Sequence, residues 1–250
     1  MEAKDLYSLQ ADRISILGNG FNDSLFRPMP TPSTIIERYG LTDFANRKIV
    51  LFVGKYVAWK GIEWLLRAFA MLLQDDRKDI ALVVGGAGPE AERLRYQGLI
   101  RELGMQDHVL LIGEVRYEDV GELMNVATVF VLPSYHEPFG LVLLEALACG
   151  LRVVAPDQGG PAGFVPLTLR DNGDAILVSG LPEVVPSASV AEIFIKDLAN
   201  AIDEQLAKPL PFEKRRAISE SVHHLTWGSY VAVLQGIYRQ LAIGEAAKND

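Results

Sequence analysis

The chain contains one cysteine, Cys149, in 250 residues, so no disulfide can form within it and the fold must rest on a packed core. Its apolar neighbours make Cys149 a small core residue of a helix rather than a nucleophile. No apolar run approaches the ~18–20 residues of a membrane span. Cationic excess is also missing. Twenty-four lysines and arginines face 32 acidic residues, for a net charge of −8, which excludes a nucleic acid held by broad phosphate neutralisation. A local basic pocket remains compatible with that balance. Residues 1–13 have no apolar core that could serve as a secretory leader and read as a polar linker remnant. Repeats and low-complexity tracts are absent, and a reducing, cytoplasmic setting is expected.

What is present is the composition of a soluble globular domain, 49% hydrophobic and 22% charged. Short apolar runs recur at Ile14-Ser15-Ile16-Leu17, Ile49-Val50-Leu51-Phe52-Val53, Ile80-Ala81-Leu82-Val83-Val84, Val109-Leu110-Leu111-Ile112, Val129-Phe130-Val131-Leu132-Pro133, Arg152-Val153-Val154-Ala155 and Ala175-Ile176-Leu177-Val178. Each reads as a buried strand. Helical patterns fall between them, as in Leu65, Leu66, Ala68, Phe69 and Leu72 on a 3.6-residue period. The alternation predicts an α/β fold: one Rossmann-like, doubly wound parallel sheet over residues 14–250, ending in helices over 189–206, 212–223 and 227–241. Ligands bind such folds at the carboxyl ends of the strands.

The loops expected at that edge are polar or glycine-rich. Gly18-Asn19-Gly20 reads as a sharp turn. Lys55 and Lys60 bracket the loop after the strand ending at Val53, and are candidate phosphate clamps in an acidic chain. The P-loop spacing is missing there. Gly85-Gly86-Ala87-Gly88-Pro89 imitates a dinucleotide fingerprint, but no later strand ends in an acidic residue at the ribose distance, which argues against a nicotinamide site. Gln158-Gly159-Gly160-Pro161 reads as another loop.

The densest pattern is Ser134-Tyr135-His136-Glu137-Pro138-Phe139-Gly140-Leu141-Val142-Leu143-Leu144-Glu145. It joins a strand to a helix over 141–149 closed by Gly150. If that helix begins near Phe139 or Gly140, the N–H groups of Phe139, Gly140, Leu141 and Val142 form an anion site at its positive end. Glu137 precedes this turn, where a carboxylate can bond sugar hydroxyls. Glu145 follows eight residues later and can clamp a vicinal diol such as a ribose. An anionic middle with hydroxylated ends describes a nucleotide sugar.

Together these residues resemble the GT-B glycosyltransferases, specifically the retaining group called family 4. The resemblance spans residues 14–241 and matches the C-terminal, donor-binding half. It is carried by Gly18-Asn19-Gly20-Phe21 with Phe26-Arg27-Pro28, by Gly54-Lys55 with Lys60-Gly61, by Gly86-Ala87-Gly88-Pro89, and above all by the Glu-x7-Glu pair Glu137 and Glu145 around Pro138-Phe139-Gly140. It implies that Glu137 bonds donor-sugar hydroxyls and that Pro138 to Val142 shape the sugar and phosphate subsite. Glu145 would hold the ribose, and Val115 and Arg116 would flank the base. Lys60, supported by Lys55 beside Gly54, would neutralise the diphosphate as the glycosidic bond breaks, with neither metal nor cofactor.

Two positions depart from the family pattern. Lys55 stands where arginine is usual, and Gly163-Phe164 stand where an acidic residue is usual. The resemblance also implies an N-terminal, acceptor-binding half, supplied by the same gene or a separate chain, that does not precede residue 14. Any peripheral membrane contact would be made through that half. The expected activity is hexose transfer from a UDP-glucose-like donor to a sugar or glycan, as in polysaccharide biosynthesis, with this domain alone binding donor but transferring little. The alternative is a non-catalytic nucleotide-sugar binding module.

Overall fold

The computed structural model describes residue 14 and residues 17–30, 33–74 and 77–246, with the backbone alone for 242–246. Six strands form one parallel sheet: β1 (Lys48–Val53), β2 (Ile80–Gly85), β3 (Val109–Gly113), β4 (Val129–Val131), β5 (Arg152–Pro156) and β6 (Ala175–Val178). Their order is β3-β2-β1-β4-β5-β6. The order reverses between β1 and β4, so a crevice opens at their carboxyl ends. The α/β expectation holds, and the strands expected from Ile49 onward appear within one or two residues of their predicted bounds.

Helices cover both faces. α1 (Ser33–Arg38), α4 (Tyr117–Val126), α5 (Leu141–Ala148) and α9 (Phe212–Val222) touch in sequence on one side, while α2 (Ile62–Leu72), α3 (Glu90–Glu102) and α8 (Ala188–Ala207) touch on the other. α2 illustrates the logic: Ile62, Leu65, Leu66 and Phe69 are spaced for one face and are all fully buried. Each contributes roughly 1.5–3 kcal/mol of hydrophobic stabilisation. β2 lies inside the sheet and is buried along its whole length, as its unbroken apolar run demands. α5 ends where Gly150 was expected to close it. The Gly150 N–H donates to the Leu147 carbonyl and the Leu151 N–H to that of Ala146.

Three expectations change. Of the predicted strand over 14–17, residues 15 and 16 lie outside the described residues, and Leu17 is not in a strand. Gly18-Asn19-Gly20 runs without a tight turn into Phe21, which exchanges hydrogen bonds with Leu225 and Trp227. These glycines therefore serve close packing against the start of α10 (Trp227–Ala246). Finally, Gly159–Phe164 is a short helix, α6, rather than a loop, followed by α7 (Leu167–Asp171). Among the described residues no helix is long and apolar enough to cross a membrane.

Candidate functional site

After β1 the chain is tied to its neighbours before it reaches Lys60. The Gly54 N–H donates to the Gly85 carbonyl and the Tyr56 N–H to that of Ala87. Tyr56 turns its ring into the core and bonds the Val84 carbonyl, and burial pushes its hydroxyl up to about 12. A 3-10 turn, Ala58–Lys60, then ends at Gly61 with φ +74°. A Cβ at Gly61 would lie 2.1 Å from the Pro133 carbonyl oxygen, so the lysine turn presses directly on the loop after β4. The Tyr135 N–H donates to the Trp59 carbonyl and seals that contact.

The loop from Leu132 to Gly140 presents Glu137. His136 adopts a left-handed backbone with φ 52°, a costly conformation for a residue with a side chain. From beneath, the Gly160 N–H at the start of α6 donates to the Glu137 carbonyl at 2.8 Å. α5 begins at Leu141, with Gly140 at its N-terminal boundary and no side chain capping its first N–H groups. Leu141 and Val142, at the positive end of the helix, line the opening.

These loops enclose a cavity of about 520 Å³ lined by Gly54, Lys55, Trp59, Lys60, Tyr117, Glu137, Pro138, Phe139, Gly140, Leu141, Val142 and Glu145. A second cavity of about 510 Å³ shares Val53, Gly54 and Lys55 with it and reaches Gly86, Gly88, Glu114 and Val115. The two make a continuous cleft across the switch point of the sheet. Eleven of the twelve residues predicted for the site therefore line one cleft. Arg116 does not. Its side chain is 66% exposed and lies 3.7 Å from Glu118 at the start of α4, while its backbone N–H donates to the Tyr39 hydroxyl.

Within the cleft Lys60 and Glu137 meet. Lys60 Nζ donates to Glu137 Oε2 at 2.6 Å, with side chains only 13% and 10% exposed. The ammonium also sits 4.3 Å from the centroid of the Trp59 ring, a favourable cation–π distance. Glu145 is different. Its carboxyl has no hydrogen-bonding or ionic partner among the described residues, and burial alone pushes it up to about 7. Its folded form thus holds its proton more tightly than the unfolded chain does. The resulting penalty is absent below about pH 4.5, grows as the pH rises, and is complete above about pH 7. Glu145→Gln should accordingly stabilise the domain by about 2 kcal/mol at pH 8 and by almost nothing at pH 4.5. Chemical denaturation at the two pH values checks this. An equal effect at both would contradict the burial argument.

The sequence reading missed Trp59 and Tyr117, two half-exposed aromatics in the cavity wall. The available signal was an aromatic residue in, or directly after, a polar loop at the ligand edge. Among the described residues no cluster of three or more His, Cys, Asp or Glu is placed to hold a metal. Phe164, at the unusual position after Gly163, stacks on Phe139 with ring centroids 5.0 Å apart.

The profile of the Glycosyl transferases group 1 family matches residues 37–173, more than half of the chain and the whole of the cleft. The chain belongs to this family. A D-inositol 3-phosphate glycosyltransferase of Corynebacterium diphtheriae is 30% identical over 99% of this chain and 56% of its own length. Sucrose-phosphate synthase of Thermosynechococcus elongatus is 31% identical, with a TM-score of 0.69 over 90% of this chain and 52% of its own. Anabaena HepE, solved with UDP and glucose, shares the fold at 23% identity, with a TM-score of 0.69 over 93% of this chain and 58% of its own. The solved neighbours are GT-B glycosyltransferases, and the chain shares with them the six-stranded parallel α/β sheet described above. The chain spans about half the length of the curated relatives it matches.

Proposed function

We propose that this chain is the donor-binding half of a retaining glycosyltransferase that moves a hexose from a UDP-glucose-like donor to a sugar or glycan acceptor. The observation that carries the reading is the convergence of Lys55, Lys60, Glu137, Glu145 and the first turn of α5 on one cleft. In this reading the diphosphate lies against the N–H groups of Leu141 and Val142 and draws Lys60 away from Glu137. The freed carboxylate accepts hydroxyls of the donor sugar, and Glu145 accepts those of the ribose. The base enters the neighbouring cavity beside Val115. The cations and the helix N-terminus stabilise negative charge on the leaving diphosphate, and the donor phosphate takes the proton of the incoming hydroxyl on the same face. The UDP and glucose found in Anabaena HepE favour a uridine donor.

The reading includes an acceptor-binding half, from the same gene or a separate chain. Trp227, Val231, Tyr238 and Leu241 recur along one side of α10 and are 47–62% exposed, an apolar stripe of the kind that packs on another domain. Calorimetric titration with UDP, GDP and ADP in the presence of EDTA tests the donor reading. One nucleotide, expected to be UDP, should bind, and Glu145→Ala should weaken it about tenfold through lost ribose hydrogen bonds. A folded chain that binds none of the three would overturn the reading.

A further inference from the structure

A third cavity, of about 460 Å³, lies at the other edge of the sheet. Lys48 opens β1, and Ala127 and Thr128 lead into β4, so this cavity sits at the amino ends of the parallel strands, opposite the cleft described above. Lys48, Lys208 and Arg215 line it, and none of its lining residues is acidic. That is unexpected in a chain whose acids outnumber its bases. Lys208 is held by Glu204 at 2.7 Å and Lys48 lies 3.7 Å from Asp79, both exposed carboxylates outside the cavity.

Arg215 is the unusual member. Its Nη2 donates to the Ala127 carbonyl at the end of α4, but its Nη1 is buried with no hydrogen-bond partner. Burial pulls its pKa below the ordinary value, and Cys149, its one electrostatic neighbour among the described residues, is no counter-charge at neutral pH. Arginine stays charged in such a setting. A guanidinium with no carboxylate beside it among the described residues carries a charge that an anion in the cavity would offset. The first turn of α9, which has no side-chain cap, starts at Phe212 on the same wall. Met29, Leu210 and Phe212 add apolar surface.

We propose that this cavity is a binding site for a small phosphate monoester with an apolar body, its phosphate facing Arg215, Lys48 and Lys208. Three cations suit a dianion, and the volume lies within the range of small-molecule sites. The site is independent of the donor cleft and of the function proposed for it.

The test titrates the chain with phenyl phosphate and with inorganic phosphate, following heat and thermal stability. Phenyl phosphate should bind more tightly than inorganic phosphate, because the apolar wall is filled as well. Arg215→Gln and Lys48→Gln should each weaken it about tenfold, and saturating UDP should leave it unchanged. If Arg215→Gln does not fold, Lys48→Gln and Lys208→Gln carry the test. Absence of binding by the folded chain would overturn the proposal. So would equal affinity in the cavity variants, or displacement by UDP, which would place the ligand in the donor cleft.

Discussion

Replacing Lys60 by alanine is expected to weaken nucleoside diphosphate binding about 30-fold and to slow transfer by the complete enzyme by a factor of 100 or more. The first figure corresponds to about 2 kcal/mol for a lost charge-assisted contact to phosphate. The second adds charge stabilisation that develops only as the bond to the diphosphate breaks. The same substitution should also destabilise the free domain. Lys60 is the only ionic partner of Glu137 among the described residues, and both side chains are close to fully buried. Removing the lysine strands a carboxylate in a low-dielectric wall, which costs about 2–3 kcal/mol at neutral pH. Glu137→Gln in the Lys60→Ala background should return most of that stability without restoring nucleotide affinity. Denaturation and titration of the two single variants and the double variant separate these effects. A Lys60→Ala domain as stable as the parent, with unchanged nucleotide affinity, would contradict both roles.

Gly61→Ala should be almost as damaging, although it removes no functional group. The backbone there is left-handed, and the added methyl carbon would meet the Pro133 carbonyl oxygen at 2.1 Å. Strain and steric conflict together should cost about 3 kcal/mol. Pro133 leads into the Glu137 loop, so relief of the clash must push the lysine turn and the glutamate loop apart, and nucleotide affinity should fall with stability. Gly98→Ala is the matching control. Gly98 lies within α3 with ordinary backbone angles, and a Cβ there meets nothing within 4 Å. That substitution should stabilise the domain by about 0.5–1 kcal/mol through reduced freedom of the unfolded chain. Melting temperatures that fall together in the two variants would refute the steric account.

Particular residues show what could be read in advance. The strands were legible because parallel strands buried on both faces need unbroken apolar runs, as Ile80 to Val84 supply. The edge of the sheet that gathers the site residues was legible because Lys55, Lys60, Glu137 and Glu145 all follow strands of one parallel sheet. Their partners were not. Lys60 and Glu137 are 77 positions apart, and the Gly61–Pro133 contact and the Tyr135–Trp59 backbone hydrogen bond bring them within bonding distance. α6 was read as a loop because glycine and proline signal turns. Here they form a short helix whose Gly160 N–H holds the Glu137 carbonyl, so tertiary hydrogen bonding overrides local preference. The resemblance put Arg116 beside the base, and its side chain lies at the start of α4, near Glu118 and Asp119. Loop position alone does not fix the direction of a long side chain.

The measurement that bears most directly on this account is a crystal structure of the chain soaked with UDP. The expected result has the diphosphate at the N-terminus of α5, Lys60 moved from Glu137 to a phosphate oxygen, and both ribose hydroxyls on Glu145. A nucleotide bound elsewhere, or bound in the cleft with the Lys60–Glu137 pair intact, would contradict it.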